Sequence, residues 1–244
     1  MIRLMFTLFL LAGGLAQAAE QSTALVTGAN RGIGLELVTQ LKAAGYSVIG
    51  TARKPAEATE LKALGVRVEQ LDVTDAASVA ALAERLDGAG IDLLINNAGV
   101  SGDGANSIRE LDTDAMSFTY SVNAIGPMRV TQALLPNMDA AKGKTIVHIS
   151  SVMGSIQNNW GGAYDYRASK TALNMLNSSL AKELGKQGYT SVVLHPGWVQ
   201  TRMGGETAPV KTADSVAGLL KVIDGLDAKD NGKFYDYQGK PIPW

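Results

Sequence analysis

The sequence has no cysteine and only two histidines among its 244 residues. The absence of cysteine excludes disulfides, thiolate metal sites, iron–sulfur clusters and cysteine nucleophiles. The histidines, His148 and His195, lie apart in strand-like segments, so we expect packed side chains and no metal centre. The sequence also has no excess of charge of either sign, since its 22 Lys and Arg residues nearly balance its 23 Asp and Glu residues. The composition therefore does not indicate nucleic acid as a partner. Any chemistry must use oxygen and nitrogen side chains or a bound cofactor.

Residues 1–18 have the layout of a secretory signal peptide. Arg3 precedes an apolar run over residues 4–15, and small residues end the segment at Ala18. Because about 20 apolar residues are needed to cross a bilayer, the run favours a cleaved leader over a permanent membrane span. We therefore expect cleavage after Ala18, export to the periplasm or the medium, and a mature domain over residues 19–244. If the leader is not cleaved, a cytoplasmic or membrane-tethered protein is the alternative.

From Ser22 onward, short β-branched apolar runs alternate with longer helical patterns. This rhythm is typical of a parallel sheet with helices on both faces, and the chain length suits one large α/β domain. We predict a Rossmann-type, doubly wound parallel sheet of about seven strands. The strands are placed at residues 23–27, 47–51, 67–71, 93–96, 145–150 and 191–195, with a last one near Phe234. Such sheets bind ligands at the carboxyl ends of their strands.

A glycine-rich turn follows the first predicted strand and leads into a helical pattern. Gly28 allows the tight turn, Gly32 lets the backbone approach a pyrophosphate, and Gly34 permits close packing, while the helix amino terminus offers free N–H groups to the anion. The same spacing also occurs in ordinary strand-to-helix turns, so its context must support it. The residues assigned to a dinucleotide site here are Thr27, Gly28, Asn30, Arg31, Gly32, Ile33 and Gly34.

The segment about 20 residues further on carries cations where NAD-binding turns carry an acid. An Asp or Glu there would bind the ribose 2′-hydroxyl, but this sequence has Arg53 and Lys54. Arg53 and Arg31 could instead pair with a 2′-phosphate through charge-assisted hydrogen bonds. We infer NADP(H) rather than NAD(H) as the cofactor. The alternative is that Arg53 and Lys54 belong to a solvated loop.

Tyr166 and Lys170 are four residues apart in a long helical pattern and therefore share one helix face. Lowering a phenol pKa from about 10 to about 7 requires about 4 kcal/mol. An ammonium about 4 Å away supplies about that much at an effective dielectric constant near 20. Tyr166 is thus a candidate general acid or base, with a hydroxyl of Ser151 or Ser150 holding a carbonyl oxygen. On its own, Tyr-x-x-x-Lys also fits a plain helix surface.

Asn123 lies four residues before Pro127 in an apparently helical segment. Because proline has no N–H, the Asn123 carbonyl loses its usual partner and could hold a water molecule at the end of a proton path. A plain helix kink is the alternative.

These segments, taken in their order, resemble the short-chain dehydrogenase/reductase family in its compact single-domain form, from residue 23 to about residue 237. The stretches SSVMGSI, GGAYDYRASKTALN and HPGWVQTRMGG are similar to the C-factor and sniffer-type carbonyl reductase branch. The resemblance implies a catalytic tetrad of Asn123, Ser151, Tyr166 and Lys170. It also implies cofactor contacts from Asp72 and Val73 at the adenine, from Asn96, Asn97, Ala98 and Gly99 along the site, and from Pro196, Gly197, Val199 and Thr201 at the nicotinamide.

The implied function is an NADP(H)-dependent oxidoreductase that transfers a hydride between the nicotinamide and a carbonyl or alcohol substrate, with Tyr166 as acid and base. The interval from Ser151 to Tyr166 is two residues longer than is common in the family, which keeps Ser150 and Ser155 as alternative serines. The leader favours a second hypothesis, an exported binding or signalling protein of this fold with little or no turnover. Isomerase or dehydratase chemistry fits the compact length less well.

Three further features bear on the substrate and on assembly. Aromatic and apolar residues on loops near the site could line a substrate pocket; they are Trp160, Tyr164, Trp198 and Met203. Residues 200–212, which we call the lid loop, combine two glycines with Pro209 and indicate mobility. An apolar stripe could face the sheet, which we favour, or form a homo-oligomer contact; it consists of Leu173, Leu176, Leu180 and Leu184.

Overall fold

Seven parallel strands form one sheet, in the order β3-β2-β1-β4-β5-β6-β7, within residues 21–244, which are the residues that this computed structural model describes. The leader predicted over residues 1–18 lies outside the described residues. The order confirms the predicted Rossmann-type sheet. It reverses between β1 and β4, and open α/β sheets bind their ligands at such a switch point.

The strands lie within one or two residues of the predicted positions. They are β1 Thr23–Val26, β2 Ser47–Ala52, β3 Arg67–Gln70, β4 Leu93–Asn96, β5 Thr145–Ile149, β6 Thr190–His195 and β7 Phe234–Asp236. In the parallel register, Leu25 of β1 lies between Ile49 of β2 and Leu94 of β4. Because β1 ends at Val26 and β5 at Ile149, Thr27 and Ser150 are the first residues of turns.

Helices connect the strands and cover both faces of the sheet. In the described part of the chain the α-helices are α1 Gly32–Ala43, α2 Thr59–Ala63, α3 Ala76–Arg85, α4 Thr113–Tyr120, α5 Gly126–Asp139, α6 Tyr164–Leu184 and α7 Thr212–Asp224. A π-helical turn, Ser121–Ile125, joins α4 to α5. Helix α6 begins two residues before Tyr166, so Tyr164 is on the helix and not on the loop where we predicted it.

The core consists of two apolar layers, one on each face of the sheet. Leu37 of α1 and Leu219 of α7 belong to one layer, and Leu82 of α3 and Leu134 of α5 belong to the other. All four side chains are fully buried, and burying one leucine contributes about 2 kcal/mol. The strands alternate between the layers, which explains their continuous apolar sequences.

The leucine stripe of α6 faces mainly inward, as favoured from the sequence. Leu173 and Leu184 are buried, Leu180 packs against a core cluster, and Leu176 is at the surface. Among residues 21–244 no helix is both long and apolar enough to cross a membrane. The described residues also contain no cluster of acidic residues and histidine that could hold a metal ion.

The glycine turn between β1 and α1 has almost no space for side chains. A Cβ atom on Gly34 would lie 2.3 Å from the carbonyl oxygen of Gly28 and 2.5 Å from Nδ2 of Asn97. A Cβ atom on Gly28 would lie 2.9 Å from Cα of Ala98. The glycines therefore let the turn and the segment after β4 approach each other closely.

Replacing Gly34 with alanine should destabilise the protein. Alanine is the better helix former by about 1 kcal/mol, but the clash with backbone atoms outweighs this gain, and we expect a net loss of about 1–3 kcal/mol. The measurement is urea unfolding followed by circular dichroism. Gly90→Ala is the matched control, because its Cβ atom would find its nearest neighbour at an ordinary 3.5 Å. Equal stability of the two variants would contradict the packing role of Gly34.

Candidate active site

The turns after β1 and β4 are joined by reciprocal hydrogen bonds. The hydroxyl of the buried Thr27 accepts from the backbone N–H groups of Asn97 and Ala98, at 3.0 Å each. The side-chain amide of Asn97 donates to the carbonyl oxygens of Thr27 and Gly28, at 2.9 and 3.2 Å. The predicted cofactor residues of these two segments thus form one rigid surface at the carboxyl edge of the sheet.

The amino terminus of α1 faces this surface with its polar groups available. Arg31 precedes the helix in an extended conformation, makes no side-chain capping bond, and the first turn contains no acidic residue. The helix dipole and the N–H groups of this turn therefore favour an anion. Asn30 lies between Gly28 and Arg31 in the same turn, and Ile33 packs against the core from the first turn of the helix. This arrangement fits the pyrophosphate of a dinucleotide.

Three arginines gather at the outer side of the glycine turn. Burial lowers the pKa of Arg31, and the nearby charges of Arg202 and Arg53 lower it further. Arg31 and Arg53 were predicted from the sequence, whereas Arg202 was not. Arg202 is 171 positions away from Arg31 along the chain, and only its place next to the predicted Thr201 could have drawn attention to it.

Asp72 and Val73 follow β3 and lie near this arginine cluster. The carboxylate of Asp72 accepts from the hydroxyl and N–H of Thr74, at 2.6 and 2.9 Å, and these bonds, with the charge of Arg53, hold its pKa below the usual value. The carbonyl oxygen of Val73 accepts from the guanidinium of Arg129 at 2.8 Å. Both residues are thus fixed at the edge where the resemblance expects an adenine.

The segment after β6 folds back over the glycine turn. Pro196 accepts from the hydroxyl of Ser215 at 2.6 Å, and Val199 forms a parallel bridge with Val210. The Thr201 methyl group lies 3.4 Å from the position of a Cβ atom on Gly32. Gly197 has a left-handed φ of 87° against the Tyr237 ring, so it turns the chain at the strand end.

The lid loop is more strongly cross-linked than its glycines suggest. The backbone N–H of Gln200 donates to the carbonyl of Val210 at 2.8 Å, and the Gln200 side chain donates to the carbonyl of Ala208 at 2.9 Å. The indole N–H of Trp198 donates to the carbonyl of Gly204 at 2.7 Å. Trp198 and Met203 remain 58% and 54% exposed.

Asn123 occupies the π-helical turn before Pro127, so the predicted break in helical bonding is present. π-turns inside helices occur frequently at functional sites. The buried side chain pairs with Val100, accepting from its N–H and donating to its carbonyl, both at 2.9 Å. Its amide also donates to the hydroxyl of Ser169 at 3.0 Å. Asn123 thereby holds the segment after β4 against α6.

Ser151, rather than Ser150, lies beside Tyr166. The Ser151 hydroxyl is within hydrogen-bonding reach of the Tyr166 hydroxyl and accepts from the N–H of Met153 at 3.1 Å. The Ser150 hydroxyl instead donates to Asn174 at 2.7 Å, and Ser155 interacts with the carbonyl of Trp244. The two additional residues between Ser151 and Tyr166 are accommodated by the β5–α6 loop, residues 150–163, without separating this pair.

Lys170 does not lower the pKa of Tyr166 in the way the sequence predicted. Burial raises the Tyr166 pKa above 10, and the contact with Ser151 offsets this only in part. The Lys170 Nζ atom lies 5.7 Å from the centre of the Tyr166 ring and donates to the carbonyl of Ile149 at 2.9 Å. Burial also lowers the Lys170 pKa to about 8. The attraction between the two groups, which the spacing predicts, is outweighed by the cost of removing both from water.

Sequence reasoning missed Arg167, the neighbour of Tyr166. Its side chain is only 7% exposed, and it donates to the carbonyls of Gly161 at 3.0 Å and Met153 at 3.4 Å. The Trp160 ring covers the guanidinium at 4.1 Å, a cation–π contact. Arg167 therefore fastens both ends of the β5–α6 loop. Its position one residue after the candidate acid was the available signal.

Asp165 was also missed, although it precedes Tyr166. Its fully buried carboxylate accepts from the N–H groups of Tyr166 at 2.7 Å and Asp103 at 2.9 Å, and from the hydroxyl of Thr119 at 3.2 Å. A Cβ atom on Gly102 would overlap this carboxylate. Asp165 thus ties the first turn of α6 to the segment after β4 and fixes the position of Tyr166.

The two histidines take no part in this centre. His148 is fully buried in β5, and burial, with the charge of Lys170, lowers its pKa to about 3. Burial lowers the pKa of His195 to about 4. Both rings are therefore neutral near pH 7, as expected for packed histidines.

The glycine turn at the switch point and the Ser–Tyr–Lys group define a Rossmann-type oxidoreductase domain. The family model for short chain dehydrogenase matches residues 22–211, and the chain belongs to this family.

Named relatives are similar over most of their length. The chain is 48% identical to C-signal of Myxococcus xanthus over 155 residues, which are 63% of this chain and 93% of that protein. It is 40% identical, with a TM-score of 0.85, to the NADPH bound carbonyl reductase from chicken fatty liver, covering 92% of this chain and 99% of the other. Carbonyl reductase Sniffer of D. melanogaster has 32% identity and a TM-score of 0.88, covering 92% and 100%.

The lowered pKa of Lys170 predicts a pH-dependent stability. Since its pKa is about 8 in the folded protein and about 10.4 in an unfolded chain, the unfolded state binds more protons between these values. The contribution of Lys170 to the free energy of unfolding should therefore rise by about 1–2 kcal/mol between pH 8 and pH 9.5. Lys170→Met should lack this rise in urea unfolding.

Lys182→Met is the matched control, because Lys182 is an exposed lysine on the same helix. The control should keep the pH dependence of the wild type. An identical pH dependence in Lys170→Met would show that Lys170 is not held at a lowered pKa.

Proposed function

We propose that this oxidoreductase reduces a carbonyl to an alcohol, or catalyses the reverse reaction, with NADP(H). The observation that carries the proposal is the joint placement of Ser151, Tyr166, Lys170 and Asn123 beside the glycine turn. Gly99 connects the groups, because a Cβ atom there would lie 3.3 Å from Oδ1 of Asn123 and 3.7 Å from Nζ of Lys170. The Ser151 and Tyr166 hydroxyl groups lie within hydrogen-bonding reach of each other, so a carbonyl oxygen beside them could accept from both.

The residues present fit a phosphorylated dinucleotide. The glycine turn leaves room for backbone approach, the start of α1 suits the pyrophosphate, and Arg31 and Arg53 suit a 2′-phosphate. The chicken fatty liver relative is described as NADPH bound, which supports the same choice here. When bound, the cofactor supplies or accepts the hydride.

Each polar group of the centre has a distinct task. Burial keeps the Tyr166 phenol protonated near neutral pH, which is the form that gives a proton to the substrate oxygen during reduction. Ser151 donates a hydrogen bond to the same oxygen and orients it. Lys170 would hold the ribose, and its ammonium, 5.7 Å from the centre of the Tyr166 ring, would stabilise the phenolate that remains after Tyr166 has given its proton. Asn123 would anchor, through its backbone carbonyl, a water molecule that returns the proton to Tyr166.

Tyr166→Phe should reduce turnover at least about 100-fold, because no other group at this position can give the proton. Its affinity for NADPH should stay within about twofold of the wild type. The measurements are NADPH oxidation with a panel of aldehydes and ketones, and fluorescence titration with NADPH. Tyr46→Phe is the control, since this tyrosine lies before the start of β2, at the edge of the sheet opposite the site. Retained turnover in Tyr166→Phe would refute the role.

Arg53→Ala should weaken NADPH binding about tenfold or more and leave NADH binding nearly unchanged, since only NADPH carries the 2′-phosphate. Fluorescence titration of residues 19–244 with both nucleotides is the measurement. Lys221→Ala is the control, because it removes an exposed charge on α7. Tighter binding of NADH than NADPH by the wild type would contradict the cofactor choice.

A binding or signalling role with little turnover is the second candidate. The similarity to C-signal of Myxococcus xanthus favours it. Binding of NADPH by the wild type without turnover of any carbonyl in the panel would support this role over a reductase.

We further propose that residues 1–18 direct export and are removed after Ala18. The support is the sequence pattern, a cation followed by an apolar run and small residues. Mass spectrometry of the protein recovered from cell fractions tests this proposal. A mature chain that begins at Ala19 outside the cytoplasm supports it, and a full-length chain in the cytoplasm contradicts it.

A further inference from the structure

Arg202 lies on the lid loop where this loop touches the glycine turn. The methyl group of the preceding residue, Thr201, lies 3.4 Å from the position of a Cβ atom on Gly32. The Thr201 hydroxyl accepts from the N–H of Gly204 at 3.1 Å, so the chain turns tightly around Arg202. Arg202 is exposed, and its position beside Thr201 brings it near enough to Arg31, the residue before α1, for their charges to interact.

The three arginines of this region come from three separate segments. Arg31 belongs to the turn after β1, Arg53 follows β2, and Arg202 follows β6. Of the two neighbours, Arg202 acts more strongly than Arg53 on the charge of Arg31. None of the three forms an ion pair within the part of the chain that the structure describes. Their mutual repulsion is relieved when an anion binds between them.

We propose that Arg202 is the third arm of the site for the cofactor 2′-phosphate, so that this phosphate ties the lid loop, which already contacts the glycine turn, more firmly to that turn. The inference rests on the proposed use of NADP(H). Arg31 and Arg53 alone would give the site affinity for the 2′-phosphate. Arg202 differs from them because it belongs to the lid loop, which borders the proposed substrate pocket. The phosphate therefore acts on two regions, the nucleotide site and the lid loop.

Binding of the 2′-phosphate by Arg202 would also affect the proposed substrate pocket. Trp198 and Met203 flank Arg202 along the chain, and both present exposed apolar surface. Trp198 is bonded to Gly204, so the indole moves together with the lid loop. A phosphorylated cofactor would then order the apolar wall of the substrate pocket, and NADH would leave it less ordered.

Calorimetric titration of the mature chain tests the site with three probes: NADPH, NADH and adenosine 2′,5′-bisphosphate. Arg202→Gln should weaken NADPH and the bisphosphate about 5- to 30-fold and change NADH less than about twofold. Arg202→Lys should recover part of the affinity, because it keeps the charge without the planar fork. Lys221→Gln, which removes an exposed cation on α7, should match the wild type.

Hydrogen exchange provides a readout of docking that does not require activity. In the wild type, the bisphosphate should slow amide exchange in residues 198–210, and in Arg202→Gln it should not. AMP, which lacks the 2′-phosphate, is the control ligand and should leave this segment unchanged in both proteins.

The outcomes separate this inference from the proposed cofactor. Unchanged NADPH affinity in Arg202→Gln, with tight binding by the wild type, overturns the role of Arg202 and leaves the cofactor proposal standing. An equal loss of affinity for NADPH and NADH in Arg202→Gln also overturns the role of Arg202. Arg202 would then interact with the pyrophosphate, which both nucleotides carry, or act only through its long-range positive charge. Binding of neither nucleotide by the folded wild type overturns both.

Discussion

The shared hydroxyl of Thr27 is the contact on which the site depends. It accepts from two consecutive N–H groups after β4, while Asn97 returns two bonds to the glycine turn. Neither turn could come so close if Gly28 carried a side chain, since Ala98 occupies that space. These hydrogen bonds join the turns that follow β1 and β4, at the point where the strand order of the sheet reverses. The nucleotide surface and the catalytic side chains are consequently parts of one rigid edge.

Burial determines the protonation of the centre more than attraction between its groups. Tyr166 and Lys170 are four residues apart on one helix, yet the pKa of the phenol is raised and that of the ammonium is lowered. Both shifts favour the neutral forms of these groups. Burial therefore keeps the Tyr166 phenol protonated near neutral pH, which is the form that the proposed reduction requires.

The sequence predicted the parts of this site that are local. The glycine turn, the strand ends and the Tyr166–Lys170 spacing follow from short-range rules on backbone conformation and periodicity. The sequence did not predict the roles of Arg202, Arg167 and Asp165, because these roles come from contacts between segments that are distant along the chain. Asp165, for example, binds the N–H of Asp103, 62 positions earlier. The direction of the Tyr166 pKa shift could not be predicted from the sequence either, since the loss of water around a side chain depends on every segment that covers it.

The β5–α6 loop has an anchored base and an exposed tip. Its base is fastened to α6, where Thr171 and Asn174 donate to the carbonyl of Gly154 at 3.0 and 3.2 Å. The tip carries Ile156 and Trp160, which are 70% and 68% exposed. The tip is nevertheless tied at two points, since the N–H of Gln157 donates to the carbonyl of Trp244 at 3.0 Å and the Trp160 ring covers the Arg167 guanidinium. A substitution at Trp160 would therefore be felt at Arg167, the residue next to Tyr166, so the exposed end of the loop is mechanically coupled to the start of α6.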